Sequence, residues 1–331
     1  MTAPVATETE ALSRRGIIER PLDPERYVVL RRLFDDENNR VVIGFGGGSL
    51  PGLCGNVALA RILEELSLRE RVDEIWGTSA GAVIGGGWAT GSDALTILDL
   101  VRSLKAKGAV DFSLLKFATG ILASLWPFRR PLPDGLIRGD VFWDTIDRGL
   151  KVKTFDECPT PFRCIACTDD GRASRKIFRR GPLLPAIFAS MSMPGVVIPR
   201  PADTEGNCFY DGGLVEKSPL LSPVGEHLRS GDKRKLVLVV THFGNEIHQT
   251  AAQGFYNRFL HTLYAMEEAC WHYQLAEARE RPNIVMVVLN PKLSDTALFK
   301  FAHTDMNYLA CRERFADVLQ NAKIAQTFGL V

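Results

Sequence analysis

The fold is decided between residues 40 and 86, RVVIGFGGGSLPGLCGNVALARILEELSLRERVDEIWGTSAGAVIGG. "RVVIGF" is a β-branched apolar run that breaks into glycines, the pattern of a strand entering a tight turn. Apolar residues at Val57, Ala60, Ile62, Leu63, Leu66 and Leu68, with charges between them, follow with helical spacing. "EIW" is a second short strand, "GTSAG" a second turn and "AGAVIGGGWATG" the start of another helix. Strand, turn, helix, strand, turn, helix within about fifty residues predicts a right-handed β-α-β unit on a parallel sheet.

Around this unit, residues 1–25 are polar, carry both charge signs and read as a loose N-terminal tail. "RYVVLRRLF" (26–34) is a short strand or a short helix. Residues 93–150 read as mostly helical, interrupted by Pro127, Pro131 and Pro133, and "PFRCIACTD" and "ASRKIF" read as two strands around the turn "DDGR". "KLVLVVTHF" (235–243) is a near-continuous β-branched run, expected as a central buried strand. Helical spacing resumes over 251–280 and 305–328, with a last strand in "NIVMVVLNP". Nothing splits the chain, so residues 26–331 are expected to form a single α/β domain, with its motifs within 40–220 and further strands and helices over 221–331.

Of the 331 residues, 46% are apolar and 24% charged, and the net charge is +1, so no global field recruits nucleic acid. The basic clusters Arg129-Arg130, Arg172/Arg175/Lys176/Arg179/Arg180 and Lys233-Arg234-Lys235 read as solvated surface. Seven cysteines without repeating spacing argue for a reducing compartment, and the pair Cys164 and Cys167 reads as small core thiols. No apolar leader opens the sequence, and no run approaches the ~20 apolar residues of a membrane span. A cytoplasmic location, peripheral at a membrane, is therefore expected. Leu114, Leu115, Phe117, Ile121, Leu122, Leu125 and Trp126, flanked by Arg129 and Arg130, have the composition of a lid or interfacial segment. Apolar stripes at helical spacing are nevertheless more often core.

Three glycine turns carry the chemistry. The first is Gly77-Thr78-Ser79-Ala80-Gly81, a serine between a strand and a helix, whose N-terminal dipole favours negative charge at the turn. Taken alone, a nucleophile and a packing turn are about equally good readings. The second is "GFGGGSLPG" (44–52), either a phosphate cradle or an oxyanion hole; the spacing of Gly44, Gly46 and Ser49 misses the dinucleotide fingerprint. The third is Asp211, which ends "CFYD" and is followed by Gly212 and Gly213. A serine nucleophile requires a base, and a triad would add His242 or His303 in the order Ser, Asp, His. None of the histidines sits in a comparable glycine turn.

In order and spacing, "GGGSLPG", "GTSAG", "ASMSMPGVVIP" (189–199) and "YDGG…SP" resemble the patatin-like phospholipases over residues 40 to 220. The resemblance implies a three-layer α/β fold, with a mostly parallel central sheet and helices on both faces. It also implies a Ser-Asp dyad without histidine, in which Ser79 is the nucleophile and Asp211 the base. Gly46, Gly47 and Gly48 take the place of the oxyanion loop, with Gly77, Gly81, Gly212 and Gly213 as supporting turn residues, and "SMSMPG" that of a substrate-pocket wall. Two departures stand out. Against the family's glycine loop, "GGGSLPG" is either one residue longer or has Ser49 for the third glycine and Pro51 where a basic residue falls, and Glu216 and Lys217 replace the asparagines usual after D-G-G.

The expected reaction is hydrolysis of lipid or acyl esters through an acyl-serine, with neither metal nor organic cofactor and with transient contact to a membrane surface. An ordinary aspartate titrates near ~3.9, so an apolar surrounding, with Phe209 and Tyr210 as neighbours, must raise Asp211 toward neutral pH. The competing readings are a Ser-His-Asp esterase of the α/β-hydrolase type and a non-catalytic lipid- or nucleotide-binding protein. Gly85, Gly86 and Gly87 should each cost their helix ~1 kcal/mol against alanine, which reads as close packing under the serine turn.

Overall fold

The β-branched runs form one sheet in the computed structural model of the chain, which describes residues 19–106, 135–244, 255–293, 301–321 and 323–324. Strands β1 (Asn39–Phe45), β2 (Glu74–Thr78), β4 (Phe162–Thr168), β8 (Lys235–Thr241) and β9 (Ile284–Leu289) run parallel in the order β4-β2-β1-β8-β9. Strand β5 (Arg175–Phe178) adds antiparallel to β4 at the edge, as the "DDGR" turn predicts. Strands β3 (Gly135–Ile137) and β6 (Gly195–Val197) form a separate parallel pair.

Alternation along the strands decides how the sheet is covered, because successive side chains point to opposite faces. Val41, Ile43 and Phe45 of β1, Ile75 of β2, and Val237 and Val239 of β8 enter one apolar cluster. Helices α2 (Ser49–Glu65), α3 (Ala80–Ala89), α4 (Ala94–Ala106), α5 (Asp140–Gly149), α6 (Leu183–Ser190) and α10 (Thr304–Val318) supply the other half of that cluster. Val42, Trp76, Leu236, Leu238 and Val240 point the other way, toward Val224 of α8 (Leu221–Ser230) and Trp271 and Ala278 of α9 (Phe255–Arg279). The result is three layers with a mostly parallel sheet in the middle. Among the described residues no helix is long and apolar enough to cross a membrane.

One local reading is resolved and another corrected. "RYVVLRRLF" is helical, a 3-10 turn at Pro24–Tyr27 followed by α1 (Val28–Asp35), because Leu30 and Phe34 one turn apart both bury. From residue 19 onward the expected loose tail is anchored. Glu19 lies 3.3 Å from Arg61 Nε and 3.5 Å from Arg312 Nε, and the Leu22 amide donates to Glu65 Oε1 at 2.8 Å. Two arginines buried in apolar helices require a carboxylate between them. The apolar stretch 114–126 with Arg129 and Arg130 lies outside the described residues, as does His248.

Helix α3 packs tightly under the serine turn. A Cβ on Gly85 would lie 3.0 Å from Phe45 and 3.3 Å from Ile75, and one on Gly86 2.5 Å from Ile187. At Gly81 it would fall 1.9 Å from the Phe45 carbonyl oxygen, which is backbone and cannot yield. Gly81→Ala is therefore expected to lower the unfolding free energy by about 3 kcal/mol. Gly85→Ala, which meets only side chains, should cost clearly less; denaturant unfolding of the two variants beside the wild type checks the order.

Candidate active site

Strand β4 brings the site together. Along its first half β4 is paired by β2, whose last residue, Thr78, sits opposite Ile165. At the next position, Ala166, the partner is Asp211, the end of the short antiparallel strand β7 (Phe209–Asp211). The two strands thus meet end to end along β4, and the residues just past their junction are Ser79 and Asp211. Ser79 Oγ donates to Asp211 Oδ2 at 2.6 Å. Ser79 has φ 54° and ψ −123°, a conformation that a side chain adopts at a cost of roughly 1–3 kcal/mol. Its amide is fixed by Ser190 Oγ at 2.9 Å, and Ser190 in turn donates to the Ile165 carbonyl at 2.6 Å.

The glycines around the dyad are there for space. A Cβ on Gly77 would lie 2.6 Å from Ala82 Cα, and one on Gly212 2.2 Å from the Ile165 carbonyl oxygen. Gly213 sits against Asp211, and its amide donates to Asp211 Oδ1 at 2.7 Å. A Cβ on Gly47 would lie 3.0 Å from the Cβ of Ser79.

The loop differs from the expectation that Gly46, Gly47 and Gly48 all offer amides to an oxyanion. The Gly46 amide donates to Thr241 Oγ1 at 2.8 Å, and the Gly47 amide to the Lys217 carbonyl at 2.8 Å. Asn56 Nδ2 also holds the Gly46 carbonyl at 2.8 Å, so this part of the loop is clamped on both sides. Among the described residues nothing accepts the amides of Gly48 and Ser49, the last loop residue and the first of α2. Both have positive φ, 156° and 49°.

Asp211 is 3% exposed. Burial pushes its carboxyl up to about 7, with the nearby Glu267 carboxylate adding to the rise. The hydrogen bonds from Ser79 and the Gly213 amide, and the charge of Lys217, oppose it. Ser79 and Asp211 open onto a narrow cavity of about 100 Å³, about 990 Å³ when the open space at its mouth is included. Apart from Ser49, Ser79, Thr145 and Asp211 its walls are apolar side chains and glycine backbone. Successive turns of α3, Ala80, Val83, Ile84 and Gly87, mark its depth; Leu104 and Ile146 face them, and Met191, Met193, Val196 and Val197 of the "SMSMPG" region form one wall.

The histidines stand apart. His242 Nδ1 is 3.0 Å from Ser218 Oγ and its Nε2 is 3.1 Å from Glu268 Oε1, so both ring nitrogens are engaged away from the dyad. Among the described residues no histidine hydrogen-bonds Ser79 or Asp211, His303 included. Residues 45–224 match the sequence model of the patatin-like phospholipases. The chain belongs to the patatin-like phospholipase family. It is 30% identical over 186 residues to a putative patatin-like phospholipase domain-containing protein of Caenorhabditis elegans, covering 55% of this chain and 15% of that protein. It is 28% identical over 197 residues to an uncharacterized NTE family protein of Mycobacterium tuberculosis, covering 59% and 48%. With human patatin-like phospholipase domain-containing protein 6 the figures are 24% over 181 residues, 55% and 12%. The match thus spans about half of the mycobacterial relative and a smaller part of the animal ones. Among solved structures, VipD from Legionella pneumophila is similar over 86% of this chain and 68% of that one, with a TM-score of 0.42 and 12% identity.

Within this patatin-like frame the departures acquire structural reasons. Glu216, where the family has asparagine, accepts the amides of Leu220 and Ser222 at 2.7 and 2.9 Å and so caps α8. It also pairs with Arg175 at 3.0 Å. Asn56 and Thr241 hold the site without any motif to announce them, each a polar residue inside an otherwise apolar run, whereas Ser190 lies in the "SMSMPG" stretch.

The raised Asp211 carboxyl has a consequence for stability. A folded-state value of about 7 against an unfolded one near ~3.9 means that the unfolded chain loses this proton first. The contribution is fully present below about pH 4 and is lost as pH rises through about 7. Asp211→Asn, which carries no proton to lose, is expected to gain on the wild type between those limits, by up to about 4 kcal/mol. Thermal or denaturant unfolding across pH 4 to 8 measures it.

Proposed function

We propose that the chain is a serine acyl hydrolase that cleaves the carboxylic ester bonds of lipids. The observation that carries this reading is the 2.6 Å contact from Ser79 Oγ to Asp211 Oδ2 at the head of an apolar cavity. Ser79 Oγ attacks the ester carbonyl as its proton passes to Asp211, whose carboxyl is held near neutral for that purpose. The tetrahedral oxyanion is held by the amides of Gly48 and Ser49, at the N-terminus of α2. Asp211 returns the proton to the leaving alcohol, and an acyl-serine remains. Asp211 then takes a proton from water, which attacks the acyl carbonyl; collapse releases the acid and restores Ser79.

The cavity suits one acyl chain laid along α3. From Ala80 to Gly87 the helix advances about 10 Å, and the lining that faces it is apolar apart from Thr145. Contact with a membrane surface would deliver such a substrate.

Hydrolysis of p-nitrophenyl esters from acetate to palmitate tests the proposal. The wild type should prefer the longer chains, and Ser79→Ala and Asp211→Asn should each lose at least ~10³-fold in kcat. Wild-type turnover in either variant rejects the dyad. Gly87→Val, which places bulk deep in the cavity, should lower kcat/KM for the longest ester by about 10-fold or more and spare the shortest.

A further inference from the structure

Behind Asp211, away from the cavity, lies a buried cluster of charges that neither the nucleophile nor the oxyanion loop requires. A methyl placed on Gly213 would lie 3.1 Å from Asp211 Oδ1 and 2.9 Å from Glu267 Oε1, so two carboxylates face each other across a residue with no side chain. Glu267 comes from α9 and is 5% exposed. A buried cation, Lys217, answers Glu267 and also acts on Asp211 through its charge. Lys217 Nζ is 3.5 Å from Glu267 Oε2 and 3.9 Å from Glu268 Oε2, and lies 5.8 Å over the Tyr264 ring. Its own backbone carbonyl receives the Gly47 amide of the loop beside the nucleophile.

Such a cluster is costly. A buried ion pair seldom repays its desolvation, and apolar residues of the same volume would serve packing as well. The ammonium of Lys217 finds ion-pair contact but no well-formed hydrogen bond, which is a poor arrangement for stability. Its placement makes sense relative to Asp211. A carboxylate at Glu267 raises the free energy of a second negative charge at Asp211, and the ammonium lowers it. Burial and Lys217 pull Glu267 in opposite directions as well, with burial the stronger. The other titratable groups facing Asp211 are quiet. Cys164 and Cys167 of β4 are pushed up to about 12 and about 11 and remain neutral thiols. Glu268 is turned to His242, whose ring burial keeps neutral and which stacks on Trp271 at 4.0 Å.

We propose that Glu267 and Lys217 are positioning residues for Asp211, a buried carboxylate and ammonium of opposite effect that set the pH at which it accepts the serine proton. The proposal rests on the Ser79–Asp211 reading.

The acid limb of kcat/KM against pH tests it, measured on a soluble p-nitrophenyl ester with thermal melts to verify folding. Glu267→Gln should move the limb to lower pH by roughly one unit, and Lys217→Met should move it to higher pH. Lys217→Arg, which keeps the charge, should leave it near the wild-type position. Folded variants that lose turnover with the limb unmoved would show a merely structural role and overturn the proposal. If one of Glu267→Gln and Lys217→Met does not fold, the direction of the other decides. Loss of turnover in Asp211→Asn together with an unmoved limb overturns this proposal alone, whereas wild-type turnover in Asp211→Asn removes the dyad beneath it.

Discussion

The site depends on a shared register. Strand β4 is long enough to hold β2 along its first half and β7 along its end, and Thr78 and Asp211 fall opposite consecutive residues, Ile165 and Ala166. Because backbone pairing fixes both strand ends, Ser79 and Asp211 are placed by the sheet itself. A one-residue slip of β7 would turn Asp211 to the other face of the sheet and end the contact. The neighbouring glycines follow from this constraint. Two strand ends, a helix start and a loop converge where Gly77, Gly81 and Gly212 have no room for a Cβ.

The same convergence accounts for the energetics. Ser79 is held in a strained backbone conformation, Asp211 is buried as an acid, and Lys217 and Glu267 are buried as an ion pair. Each of these works against stability. They are offset by two continuous apolar clusters, one on each face of the sheet, that meet over almost every position of β1 and β8. Clamping extends to the loop, where Asn56, Thr241 and the Lys217 carbonyl hold Gly46 and Gly47, while the next two amides have no acceptor among the described residues. Rigidity in the first part of the loop is what allows the second part to be preorganised.

Much of this was legible in the sequence, for a physical reason. Positions that exclude a Cβ must be glycine, so the turns at 77–81 and 212–213 leave a local mark, and β-branched runs mark the buried strands. Which loop amides are free was not legible, because their competitors, Thr241 and Lys217, come from distant elements. Glu267 was equally hidden. On a long helix of interleaved polar and apolar residues an acidic residue reads as solvated, and only the meeting of α9 with Gly213 and Lys217 buries it. The short helix at Val28–Asp35 was ambiguous because a run of Val and Leu suits either period. The anchoring of residues 19–25 depends on Arg61 and Arg312, which a helical pattern would place in solvent.

The central claim is that Ser79 is a nucleophile made reactive by Asp211. Covalent labelling with a long-chain fluorophosphonate, followed by digestion and mass mapping of the adduct, tests it most directly. The account predicts a single adduct on Ser79 in the wild type, much slower labelling in Asp211→Asn, and labelling at the wild-type rate in His303→Ala. No adduct on Ser79, under conditions where a control serine hydrolase is labelled, would contradict it.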